Sequence, residues 1–249
     1  LKRAVLLAGL LTLLVAGGAR GGALVEVGDL VLRADGGFQP RHLPRHRFAP
    51  IGFGGQISLE SRSDGAPPAL RRAVVEFDRD GRLGVAGLPT CAARRVAALG
   101  PGAARRRCRG AIVGRGRVEA TIALPGGPVQ ARSALTIFNG PRQGRRPTVV
   151  LHARTTVPAV QTYAIVVPIA KRRGEFRYRA TLEVPPIAGG LGAITLIKAR
   201  IERRYRADGK RRSYISARCS DGILRTRGRF SFADGTVVDG AIEKFCRAR

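Results

Sequence analysis

Methionine and tryptophan are absent from this 249-residue chain, aromatic side chains make up 5 % of it, and 17 acids face 45 lysines and arginines, a formal net charge of +28. Each shortage excludes something. So few rings leave few platforms on which unpaired bases could stack, which argues against a single-stranded nucleic-acid binder despite the charge. Beyond residue 16 no apolar run approaches the roughly 18 residues a membrane-crossing helix needs, which excludes a polytopic helical membrane protein. The motifs G-x-S-x-G, G-x-x-x-x-G-K-[ST] and H-E-x-x-H do not occur, so the commonest nucleophile, phosphate and zinc-protease signatures are missing. The 17 carboxylates are scattered and nominate no glycosidase-type pair. No catalytic residue, metal site or cofactor is therefore expected, while 44 % hydrophobic residues indicate a folded chain.

Histidines and aspartates have plain structural readings. Pro44 between His42 and His46 prevents the shared helical face of a zinc-binding pair. His152 falls in a strand-like run, Leu151-His152-Ala153-Arg154-Thr155. Asp78-Arg79-Asp80-Gly81 has the opening of a calcium loop without its later ligands, and its setting between Val74-Val75-Glu76-Phe77 and Arg82-Leu83-Gly84-Val85 marks a hairpin turn.

The N-terminus reads as an export signal. Lys2-Arg3 precedes thirteen apolar or small residues, 4–16, and then Gly17-Gly18-Ala19-Arg20-Gly21-Gly22-Ala23. A basic start, a short apolar core and a small-residue exit are the parts of a secretory leader, here residues 1–23. Four cysteines in an exported chain imply two disulfides. Pairing Cys91 with Cys108 and Cys219 with Cys246 makes each bridge local.

From residue 24 to 249 the hydrophobic pattern is mostly of period two, broken by turn residues every 8–14 positions. It implies one all-β domain, an antiparallel sandwich or barrel of about 10–12 strands; a two-part split near residue 90 is the alternative. Phe176, Tyr178, Ala180, Leu182 and Val184 alternate with Glu175, Arg177, Arg179, Thr181 and Glu183, and Leu224, Thr226, Gly228, Phe230 and Phe232 alternate with Arg225, Arg227, Arg229 and Ser231. One short helix is expected near 91–99, stapled by the first disulfide and stopped by Gly100-Pro101-Gly102.

Four segments carry a resemblance: Gly87-Leu88-Pro89-Thr90-Cys91; Cys108-Arg109-Gly110-Ala111-Ile112-Val113-Gly114-Arg115-Gly116; Leu151-His152-Ala153-Arg154-Thr155-Thr156-Val157-Pro158; and Phe230-Ser231-Phe232-Ala233-Asp234-Gly235-Thr236. Together they resemble a family of uncharacterised exported proteins from GC-rich bacteria. The resemblance implies export and a compact cysteine-containing fold, and brings no activity with it.

Forty of the 45 basic residues are arginine, which fits the coding bias of a GC-rich genome as well as a binding device. Position separates the two readings. In a run of antiparallel strands alternate connections fall at one end of the sheet. Connections 141–147, 171–174 and 203–212 hold Arg142, Arg145, Arg146, Lys171, Arg172, Arg173, Arg203, Arg204, Arg206, Lys210, Arg211 and Arg212 against a single acid, Asp208. Connections 125–128, 158–161, 185–192 and 219–222 hold no lysine or arginine. Bias in composition gives no reason for such alternation. The expectation is a secreted or envelope-located, non-catalytic β domain with a basic end for an anionic polymer or envelope surface, intracellular nucleic acid being disfavoured by the leader. The alternatives are a structural or protein-partner module, or a hydrolase with an unrecognised site. Mass spectrometry of secreted protein should find the leader gone; a mass that still includes Leu1 would overturn that reading.

Overall fold

A computed structural model of the chain describes residues 22–63 and 65–248. The leader up to Gly21 lies outside them. Gly22 and Ala23, the last two residues of the expected leader, stand at the start of the first strand, paired with Asp35 and Ala34.

Twelve strands form one antiparallel sheet: β1 (Gly22–Val27), β2 (Leu30–Gln39), β3 (Gly52–Ser61), β4 (Leu70–Asp78), β5 (Ile112–Leu124), β6 (Gly127–Gln143), β7 (Arg146–Thr155), β8 (Gln161–Lys171), β9 (Phe176–Glu183), β10 (Gly192–Ile201), β11 (Ile223–Phe232) and β12 (Val237–Phe245). Their spatial order is β1-β2-β3-β10-β5-β6-β7-β8-β9-β4-β11-β12, so strands from both sides of residue 90 share the sheet. The sheet curls until its edges meet: a Cβ on Gly240 of β12 would lie 3.7 Å from side-chain atoms of Ala23 and Val25 on β1, and Lys244 Nζ is 2.9 Å from Asp35 Oδ1 on β2. The result is a nearly closed barrel.

Alternation explains the wall. Leu30, Leu32, Leu59, Leu70, Phe230, Phe232 and Val238 form one interior cluster, and Val113, Leu135, Ile137, Val149, Val167 and Tyr214 form another. Val118 and Leu182 touch both. Tyr178, Ala180 and Leu182 enter the interior as the pattern predicts. Phe176 does not follow it: a register shift between Phe176 and Tyr178 leaves its ring beneath the Arg227 guanidinium, 4.8 Å from the centroid.

The connections into and out of β4 and β10, the two strands placed out of sequence order, cap the barrel. Segments 62–69 and 184–191 cross one end, here called the upper end. Segments 40–51, 79–88 and 202–222 cross the lower end, where short strands Ala49–Pro50, Gly81–Leu83 and Ile215–Ala217 form a small sheet. The Asp78–Gly81 turn thus leads from β4 into a strand that pairs with Ile215–Ala217, and is not the bend of a simple hairpin.

Both expected disulfides are formed, with Cα separations of 5.8 Å for Cys91–Cys108 and 5.9 Å for Cys219–Cys246. They suit an oxidising compartment. Cys219 precedes β11 and Cys246 follows its neighbour β12, so that bridge forms just beyond the strand ends. The helix lies elsewhere in the first loop than its composition indicates. Residues 91–99 hold only a 3-10 turn, Ala93–Arg95, whereas the α-helix is Pro101–Arg107. Pro101 sits at its start, where a missing N–H costs nothing and the fixed φ favours helix, so the Gly-Pro-Gly sequence opens the helix rather than ending it. This flap packs Cys91, Val96, Ala104 and Cys108 on Phe138 and Val150, the outer face of β6 and β7.

Two seams interrupt the wall. The β6–β7 ladder ends at Thr136–His152, and β8 pairs with β9 only through Ile169, Ala170 and Lys171. Above these points the β7–β8 hairpin is a two-stranded ribbon with no ladder on either flank.

Close approach of β5 to β10 is set by glycine: a Cβ on Gly116 would stand 1.9 Å from the Lys198 carbonyl oxygen. Gly116→Ala should destabilise by about 1–3 kcal/mol, lowering Tm by about 2–4 °C per kcal/mol. Gly126→Ala, with nothing within 4 Å of the added carbon, should leave thermal unfolding within about 1 kcal/mol of the parent.

Candidate anion-binding end

The three basic connections share the lower end. Arg142, Arg145 and Arg146 flank the β6–β7 turn, and Lys171, Arg172 and Arg173 the β8–β9 turn. All six are exposed. Beyond β10 the chain breaks at Glu202 and forms a separate two-stranded hairpin, Arg204–Ala207 with Lys210–Ser213. Its Asp208-Gly209 turn has both residues at positive φ, 52° and 69°, as a two-residue hairpin turn requires. This hairpin carries Arg204, Arg206, Lys210, Arg211 and Arg212, with Arg203 just before it. All twelve residues named from the sequence thus lie on one end of the barrel, along the arc from β10 through β5 to β9. The alternation rule fails once: 219–222, expected at the opposite end, also lies at the lower end, because residues after Ile201 form the hairpin and cap sheet instead of another pair of barrel strands.

Acids decide which of these charges remain uncompensated. On the barrel wall Arg33 pairs with Glu60, Arg72 with Glu183, Arg117 and Arg132 with Glu119, Arg200 with Glu202 and Arg229 with Asp239. Glu76, buried between Arg179 and Arg227, accepts hydrogen bonds from both. Burial pushes its carboxyl up, but those two guanidinium hydrogen bonds prevail and the net shift is downward. Of the twelve lower-end residues only Arg212 has an ion pair among the described residues, with Asp208 at 3.0 Å. At the upper end the described connections hold one basic residue, Arg62, and it pairs with Glu26.

The structure adds members that lie far apart in sequence. Arg82, Arg177 and Arg218 surround the Phe48 ring, their guanidinium carbons 5.6, 5.3 and 5.3 Å from its centroid. This cluster joins the β8–β9 turn to the lower cap. Arg94, Arg95, Arg105, Arg106 and Arg107 are exposed on the flap, which packs on the outer face of β6 and β7. The run Arg105-Arg106-Arg107 was a visible signal for the flap; nothing in the sequence signals the Phe48 cluster.

Asp78 and Asp80, 6 % and 1 % exposed, hold this end in shape. Asp78 accepts the backbone N–H groups of Asp80 and Arg225 at 2.8 and 2.9 Å. Asp80 accepts Arg218 Nε at 2.7 Å and the Ser220 N–H at 2.8 Å, tying the Cys219 segment to the β4 turn. Burial raises the Asp78 carboxyl despite its N–H donors. Burial also opposes the Asp80 charge, but hydrogen bonds from Ser220 and Arg218 outweigh it and lower the pKa. His152 lies away from this end, fully buried under the flap with Nε2 2.9 Å from the Leu99 carbonyl. Among the described residues no three His, Cys, Asp or Glu side chains converge to hold a metal. Comparison with protein-family models, curated proteins and solved structures finds no match.

Asp80→Asn should cost about 1.5–3 kcal/mol at pH 7, the worth of hydrogen bonds to a charged group. Because folding lowers the Asp80 pKa, its stabilisation is present above the unfolded value and fades as pH falls through the folded one. Urea unfolding of parent and variant should therefore converge progressively below about pH 4.

Proposed function

We propose that this protein is an exported, non-catalytic β-barrel domain of the cell envelope whose lower end binds an anionic polymer or surface rich in carboxylate or phosphate. The observation that supports this reading is the placement of acids: nine of the thirteen other arginines in the barrel strands are paired, while the turns and hairpin of one end carry eleven of twelve cations without an ion pair among the described residues. Such a field raises the local concentration of a polyanion and falls with salt, since the Debye length is about 8 Å at physiological ionic strength. Arginine forks suit carboxylate and phosphate oxygens in bidentate pairs. Biased composition alone would raise arginine everywhere and does not explain why the compensating acids follow the wall.

Reversal of Arg145, Arg172 and Arg211 to Glu should weaken binding to polyphosphate or polyglutamate at least ~tenfold, about 1.4 kcal/mol, at physiological salt, with thermal stability nearly unchanged. Reversal of Arg33, Arg72 and Arg229, on the upper half of the wall, changes net charge equally and breaks only exposed pairs, each worth about 0–1 kcal/mol. Equal loss of binding in both triple variants would show diffuse attraction and refute a basic-end site.

A further inference from the structure

Behind the β7–β8 ribbon, in the upper half of the barrel, lies a cavity of about 100 Å³. Its walls include Ala131 on β6, Ala153 on β7, Leu182 on β9 and Ile194 and Ile197 on β10. The two alanines leave open the space that larger side chains would fill. The hydroxyls on its border are engaged elsewhere. Ser133 Oγ accepts the Arg154 N–H at 2.8 Å, Thr155 Oγ1 donates to the Val157 carbonyl at 2.9 Å, and Tyr163 OH donates to Gln161 Oε1 at 2.6 Å while accepting the Ala188 N–H at 3.1 Å. No lining residue has a buried polar side-chain atom without a partner. A water inside would lack the two to four partners that hold a buried water, so the space suits an apolar occupant.

The lining extends to Arg132 and Arg154, at the seam between β6 and β7, which places the mouth there. Arg132 is 80 % exposed and shares Glu119 with Arg117. Arg154 lies beside the flap, its Nη1 2.8 Å from where a Cβ on Gly100 would stand, and has no ion pair among the described residues. Three guanidinium groups and one carboxylate thus make the mouth cationic. The cavity is somewhat smaller than the roughly 150 Å³ that accommodates benzene, so at rest it takes only the end of a chain, and a longer one requires the ribbon to move. The Ser133–Arg154 hydrogen bond spans the β6–β7 seam where no ladder does, and the Tyr163–Ala188 bond ties the ribbon to the 184–191 segment.

We propose that the barrel binds an amphiphile with one apolar chain and an anionic head, the chain in the cavity and the carboxylate at Arg132 and Arg154, admitted by outward movement of the β7–β8 ribbon. This site lies in the upper half and does not rest on the polyanion reading of the lower end. Titration calorimetry with the series hexanoate, octanoate, decanoate and dodecanoate should show saturable binding that tightens by up to about fourfold per added methylene until the cavity is full. Dodecanol should bind about tenfold more weakly than dodecanoate. The paired change Arg132→Gln and Arg154→Gln should remove that difference. Ala131→Phe or Ala153→Phe should abolish chain-length dependence; circular dichroism and Tm establish that the variant is folded, and the parent series stands without them. Absence of saturable binding, or affinity independent of chain length in the parent, overturns the proposal. So does dodecanoate binding that survives in folded Ala131→Phe but is lost on reversal of Arg145, Arg172 and Arg211, which would assign the ligand to the lower end as an anion alone.

Discussion

Twelve strands enclose more space than this chain can fill with side chains. A barrel of about eight strands has an interior just wide enough for its own residues, and the diameter grows with strand number. Here nine phenylalanines and four tyrosines, with no tryptophan or methionine, must occupy a larger enclosure. The barrel resolves the mismatch unevenly. Phe53 on β3 and Phe77 on β4, from nearly opposite walls, meet edge to face at 5.6 Å, and buried Tyr214 joins the interior cluster beside the lower cap. These large rings all serve the lower half. The upper half between β5 and β8 is lined by alanines and aliphatic side chains, and there space remains and the wall parts along its seams. A shortage of large residues, read in the sequence as a lack of stacking platforms, becomes a cavity.

Charge follows a parallel logic. A wall whose outward positions are arginine-rich repels itself unless acids are interleaved, and most of the acids in the strands sit beside wall arginines. Glu119 serves Arg117 and Arg132, and Glu76 serves Arg179 and Arg227. The connections lack that supply. Asp80 is buried against Arg218 and Asp221 binds Arg225, leaving the exposed turns strongly positive. The outer face of these strands is also the inverse of a lipid-spanning barrel, whose outward positions form an apolar band.

Period-two alternation made most barrel strands legible, because a residue on one side of the sheet must meet either the core or water. Local disulfides were legible for a related reason: each closes a segment whose ends return to neighbouring positions. What escaped involved competition between local signals or contacts from distant segments. Alanine and arginine at 91–99 suggested helix, yet Pro101 supplied a better start a few residues later. The chain left the sheet after Ile201 and formed a hairpin and cap strand instead of another barrel pair, which moved residues 219–222 to the other end of the barrel. The Phe48 cluster draws on four segments, and the cavity on the spacing between walls, neither of which a linear pattern encodes.

Strand order also constrains how the molecule is assembled. β10 inserts between β3 and β5, so Phe53 waits for Ile201 as its pairing partner, and β4 inserts between β9 and β11, so Val75 waits for Ala180 and Gly228. The meander β5–β9 can pair in order as it emerges, but β1–β4 cannot complete their side of the wall. Such non-local pairing delays the return for lost chain entropy and belongs to slowly folding topologies. Until the C-terminal strands arrive, β1–β3 are an open sheet with an unpaired edge, and closure is a late, cooperative event that commits the first and last strands together.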